Sequence, residues 1–126
     1  MNPLVIVALS IAGGLGAVAR LVLDGFLRSQ VKVAFPLGTT VINVTGSLLL
    51  GLITGLALTH AMPTEWRLIL GTGFLGGYTT FSTASFETVR LAQAGRYVAA
   101  LGNGLGMFAV ALLAAGAGLW LGSLPW

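Results

Sequence analysis

Charge is nearly missing from this sequence. Six Lys and Arg and three Asp and Glu among 126 residues amount to 7% charged, where a soluble domain carries about 25%. So few charges cannot cover a water-facing surface, which excludes a soluble globular protein. The excess of base gives a pI of 10.2, but six scattered cations make no electrostatic footprint for nucleic acid. Cysteine is absent, which excludes disulfides, a thiol nucleophile and a cysteine metal site. Only one histidine occurs, His60, in a predicted loop where solvation alone accounts for it. No paired acid, no His-Glu-x-x-His and no nucleophile beside a base appears, so acid–base enzymology has no players and the chain is not an enzyme.

What remains is apolar: 56% hydrophobic residues with a mean hydropathy of +0.98. A spanning helix needs roughly 20 such residues, and the chain supplies four. They run from about Pro3 to Phe26, Pro36 to Thr59, Glu65 to Leu91 and Arg96 to Leu121, joined by short loops. The start carries no basic leader and no clear cleavage site, so the first run reads as a retained helix. Residues 1–126 form one four-helix transmembrane domain in a lipid bilayer. Gly51/Gly55, Gly73/Gly77, Gly102/Gly106, Gly118/Gly122 and Gly13/Ala17 have the four-residue spacing of small residues that lets helices approach closely in lipid. Arg20, Arg28, Lys32, Arg90 and Arg96 fall on the side of loops 1 and 3, and only Arg67 on the side of the termini. The positive-inside rule then puts both termini outside.

The anomaly is Gly76-Gly77-Tyr78-Thr79-Thr80-Phe81-Ser82-Thr83-Ala84-Ser85, a polar, glycine-led stretch inside the third span. Hydrocarbon penalises each unpaired polar group by several kcal/mol. Hydroxyls can bond back to carbonyls one turn earlier, but five in seven residues exceed that need. A broken helix whose carbonyls and hydroxyls line an ion path accounts for all of them. Asn43, with Thr39 one turn earlier on the same face, is either an interhelical hydrogen bond or a pore donor for an anion. Arg20, near the end of the first span, either snorkels or makes an electropositive vestibule. Asp24, Glu65 and Glu87 all lie toward span ends. Donors with an arginine and no mid-span acid favour an anion over a cation.

These residues resemble the Fluc (CrcB) fluoride channels. The likeness is carried by Gly13-Gly14 with Gly16-Ala17 and Arg20, by Gly38-Thr39 with Asn43, and by the run from Gly73 to Thr83. It covers the chain from end to end, and the third motif is the specific one. The resemblance implies an all-α membrane protein of four helices, broken in the third, assembling as an antiparallel dimer with two narrow fluoride pores. It implies a structural sodium ion at the dimer centre, held by the backbone carbonyls of Gly76 and Thr79. Asn43 takes the place of the pore asparagine and Arg20 that of the vestibule arginine. Phe81 stands at the first of two pore phenylalanines, flanked by Ser82 and Thr83. The implied function is passive fluoride export and fluoride resistance across a bacterial inner membrane.

Two departures stand out. The second phenylalanine is replaced by Ala84, and Phe86 lies about 200° away around a helix. The hydroxyl track of the last span is replaced after Asn103 by Met107, Ala111 and Ala115, none of which donates a hydrogen bond. The second subunit is either an identical chain or a paralogue, and these departures, together with the charge bias, which opposes insertion in both directions, favour one half of a heterodimer with a paralogue. Two rivals are a non-conducting structural subunit and a small multidrug exporter. The exporter needs a carboxylate in the first span, and residues 3–19 have none.

Overall fold

A computed structural model describes residues 2–31 and 35–126. Every regular element among them is helical: α1 (Pro3–Gln30), α2 (Leu37–Thr59), α3 (64–78), α4 (Phe81–Gln93) and α5 (Tyr97–Gly122). By length and composition α1, α2 and α5 can cross a membrane. The apolar side chains that stud their outer faces, such as Leu15, Val22, Leu112 and Leu113, are exposed, as lipid-facing residues are.

Boundaries follow from local chemistry. Asn2 caps α1 by accepting the Leu4 N–H at 2.9 Å, with Pro3 in the first turn, where it forfeits no bond. The helix runs one turn past the expected Phe26, because Arg28 pairs with Asp24 at 3.0 Å and sits at the carbonyl end, where a cation is favoured. The expected first loop shrinks accordingly, and Lys32, counted in the charge map, lies outside the described residues. After α4 the chain reverses in a closed turn. Gly95 takes φ +77, its N–H reaches Ala92, and the Arg96 N–H reaches back to Leu91 at 2.9 Å.

The expected span from Glu65 to Leu91 is two helical pieces. Thr79 and Thr80 between them are extended, with ψ 160 and 122. Upstream, residues 68–75 widen so that the Gly76 N–H reaches Gly71, five residues back. A second wide stretch, Gly102–Gly106, lies within α5. Both are glycine-rich, and wide turns of this kind recur where helices carry function.

Two helix pairs form the frame. In α2 against α5, a Cβ on Gly51 would strike the Ala115 carbonyl and one on Gly118 the Leu48 carbonyl. In α1 against α3, a Cβ on Gly16 would strike the Phe74 carbonyl and one on Gly77 the Gly13 carbonyl. Three of the expected small-residue pairs and Gly13 thus sit at backbone contact. Gly102 and Gly106 face open space instead. Ile42, Leu75 and Tyr78 make the buried centre, with Leu23, Ile53 and Phe74 against them. His60, which solvation alone seemed to explain, ties α2 to the C-terminal segment by a 2.8 Å bond to the Leu124 carbonyl.

Candidate functional site

The interruption at Thr79–Thr80 organises the site. Asn43, in the second turn of α2, pairs with Thr80 in both directions. Its Nδ2 donates to the Thr80 carbonyl at 2.8 Å and its Oδ1 accepts the Thr80 N–H at 2.9 Å. A backbone N–H that would be orphaned in hydrocarbon is satisfied, and the neighbouring carbonyl engaged, by one side chain. The interhelical role foreseen for Asn43 is therefore present in the geometry.

That pairing leaves oxygens free. In a continuous helix the Gly76 carbonyl would accept from the Thr80 N–H, four residues on, but that N–H goes to Asn43. The Thr79 carbonyl would accept from Thr83, whose N–H goes instead to Thr80 Oγ1 at 3.1 Å, the cap of α4. Gly76 is exposed, and a Cβ there would meet nothing within 4 Å. The Gly77 carbonyl is engaged: Arg20 Nε, from α1, donates to it at 3.2 Å.

The two half-helices also present opposite ends. Gly76 to Thr79 close α3, whose carbonyls favour a cation. Phe81, Ser82 and Thr83 open α4, whose first N–H groups favour an anion. Of the hydroxyls in this run, Thr79 Oγ1 bonds back to Leu75 at 2.8 Å and Thr80 serves as the cap. Ser82 is exposed, Thr83 is half-buried, and Phe81 is 88% exposed.

An open groove of about 790 Å³ runs along this face, walled by α2, α3, α4 and α5. It brings together Asn43, Gly76, Thr79, Thr80 and Phe81. Ala84, Met107 and Ala111, the departures noted in the sequence, line the same groove. Thr39 is 2% exposed and is not among the groove-lining residues. Arg20 is half-buried behind α3, and neither it nor Ser82 nor Thr83 lines the groove. Sequence reasoning missed the Thr80 backbone as the partner of Asn43. The signal was present: an isolated amide on one span and an interrupted helix on another each need a partner.

Behind the site, Arg28 Nη2 stands 3.9 Å from Glu87 Oε2 while its Nε holds Asp24. The end of α1 is thereby tied to α4. Asn103, fully buried on α5, donates to Thr88 Oγ1 at 2.8 Å and to the Ala84 carbonyl at 3.3 Å.

Residues 7–119 match the protein family described as CrcB-like protein, Camphor Resistance (CrcB). The chain is 71% identical over 124 residues to the fluoride-specific ion channel FluC 1 of Leifsonia xyli subsp. xyli, an alignment that spans 98% of this chain and 90% of that one. It is 57% identical over 115 residues to the fluoride-specific ion channel FluC 2 of Cutibacterium acnes, covering 90% and 93% of the two chains. It is 44% identical over 117 residues to the fluoride-specific ion channel FluC of Syntrophotalea carbinolica, covering 92% and 95%.

Proposed function

The chain belongs to the CrcB-like family, and on that premise we propose that it is a subunit of a fluoride-selective channel that lets fluoride leave the cell passively. The observation that carries this reading is the broken helix. One groove presents the amide of Asn43, the ring of Phe81 and the N-terminal end of α4. Fluoride is small and strongly hydrated, so a pore must replace its water with donors. Amide and hydroxyl groups donate hydrogen bonds, and the rim of a phenyl ring is electropositive.

The protein is a multi-pass membrane protein, and we place it in a bacterial inner membrane with α3 and α4 together as the third of four spans. An antiparallel second subunit covers the groove in this reading. A phenylalanine 88% exposed beside free carbonyls is an unfinished surface, and a partner contributing the same elements would complete it. The Gly76 and Thr79 carbonyls, freed of their helical donors, supply the hard oxygen ligands that a sodium ion takes at an unwound helix. A structural sodium ion at the dimer centre fits them.

We favour a paralogue as the second subunit. Ala84 and Ala111 contribute neither a ring nor a hydroxyl to the groove wall, whose second ring, Phe108, comes from α5. The five-to-one distribution of basic residues favours one orientation. The numbered names FluC 1 and FluC 2 among the relatives agree with paired chains. Fluoride efflux from liposomes, measured with this chain alone and with a FluC paralogue, tests the reading. Little flux alone and restored flux with the paralogue is the expected result.

A further inference from the structure

A primary amide has two N–H groups, and both of those on Asn43 are engaged. Nδ2 donates to the Thr80 carbonyl at 2.8 Å and to Met107 Sδ at 3.3 Å. The two acceptors are unequal. The Thr80 carbonyl is a strong backbone acceptor, and the same side chain is clamped there by the Thr80 N–H, which its release would orphan. The Met107 thioether is a weak acceptor on a side chain with three rotatable bonds. One N–H of Asn43 is therefore fixed and the other is held loosely. Met107 is 6% exposed, follows the wide turns of α5, and shares the groove with Asn43, Thr80 and Phe81. Its sulfur stands where a small anion seeking the Asn43 amide has to arrive.

We propose that Met107 governs anion access to Asn43. In the resting protein its sulfur holds the loosely bound amide N–H. An arriving fluoride ion takes that N–H as the thioether turns away into the groove. Fluoride binding at Asn43 is then a competition with the Met107 contact, and removing the sulfur strengthens it. The inference rests on the fluoride-channel reading above and adds the residue that sets affinity at its donor.

The test uses the sequence's scarcity of asparagine: Asn2, Asn43 and Asn103 are the three. Protein carrying ¹⁵N-labelled asparagine, reconstituted in detergent or bilayers together with an unlabelled FluC paralogue, is titrated with sodium fluoride and, separately, sodium chloride while the side-chain amide signals are followed. Met107→Leu keeps the bulk and deletes the acceptor, a volume-conserving change that cores tolerate. Asn103, whose partners are Thr88 and Ala84, reports that the variant is folded. In the wild type the Asn43 signal is expected to move with fluoride and not with chloride. In M107L the midpoint should fall at least about threefold, the order expected when a weak competing hydrogen bond is removed. Midpoints agreeing within about twofold would overturn the role of Met107 and leave the channel reading standing. An Asn43 signal that ignores fluoride in both proteins, with Asn103 native-like, would overturn both.

Discussion

Asn43 and Thr80, 37 residues apart, exchange two hydrogen bonds of 2.8 and 2.9 Å, and the second half of the third expected span is held to α2 by that exchange. Removing the amide by Asn43→Ala orphans the Thr80 N–H, worth about 1–3 kcal/mol when buried, while the Thr80 carbonyl keeps the first bond of α4. N43A is expected to lower the thermal unfolding midpoint in detergent and to abolish fluoride flux. An unchanged midpoint with lost flux would mean that Asn43 serves the ion alone and that the clamp is incidental.

Gly76 and Gly77 are neighbours with opposite surroundings. A Cβ on Gly77 meets the backbone carbonyl of Gly13, which cannot yield, whereas one on Gly76 meets nothing within 4 Å. Gly77→Ala should cost about 1–3 kcal/mol by overpacking. Gly76→Ala is compatible with its helical backbone, φ -62 and ψ -40, and should leave subunit stability near wild type. If Gly76 faces a second subunit and a sodium ion, G76A instead weakens dimerisation, read by cross-linking at graded sodium concentrations. A G76A protein as dimeric as wild type would argue against that placement.

Phe81 is exposed in the isolated subunit, so its loss should barely affect subunit stability. Phe81→Ile is expected to shift unfolding by no more than about 0.5 kcal/mol, as surface changes do, while reducing fluoride efflux at least tenfold, about 1.4 kcal/mol of barrier. Retained flux would remove the ring from the ion path.

Much of this was legible in the sequence because lipid simplifies the code. Length and apolarity located α1, α2 and α5 within a few residues, since hydrocarbon demands both. The polar stretch from Gly76 to Ser85 flagged the interruption, since hydroxyls and glycines there needed a reason. Two things stayed hidden. The reach of α1 to Gln30 depends on the Arg28–Asp24 pair, which carries no apolar signal. The partners of Asn43 and Arg20 depend on how helices pack, and Thr80 and Gly77 take part through backbone atoms that every residue has. Thr39 shows the limit of helical periodicity: it shares a face with Asn43 yet is buried outside the groove wall.

The absence of cysteine makes orientation directly measurable. Ser29 and Ser123 are exposed and stand near opposite ends of the bundle, one in the last turn of α1 and the other just after α5. With a single fixed orientation, Ser123→Cys should react with a membrane-impermeant maleimide in intact cells and Ser29→Cys only after permeabilisation. Equal labelling of both in intact cells would reveal two orientations and remove the topological argument for a paralogue.

The most direct measurement of the central claim is ion-electrode efflux from liposomes loaded with fluoride or chloride. Three preparations are compared: vesicles containing this chain, vesicles containing this chain with a FluC paralogue, and empty vesicles. The account predicts fluoride efflux without chloride efflux when both chains are present, and much slower fluoride efflux from this chain alone. Fast efflux from the single chain would contradict the requirement for a paralogue. Fluoride efflux no faster than from empty vesicles in every preparation, or chloride leaving as readily as fluoride, would contradict the assignment of this chain to a fluoride pathway.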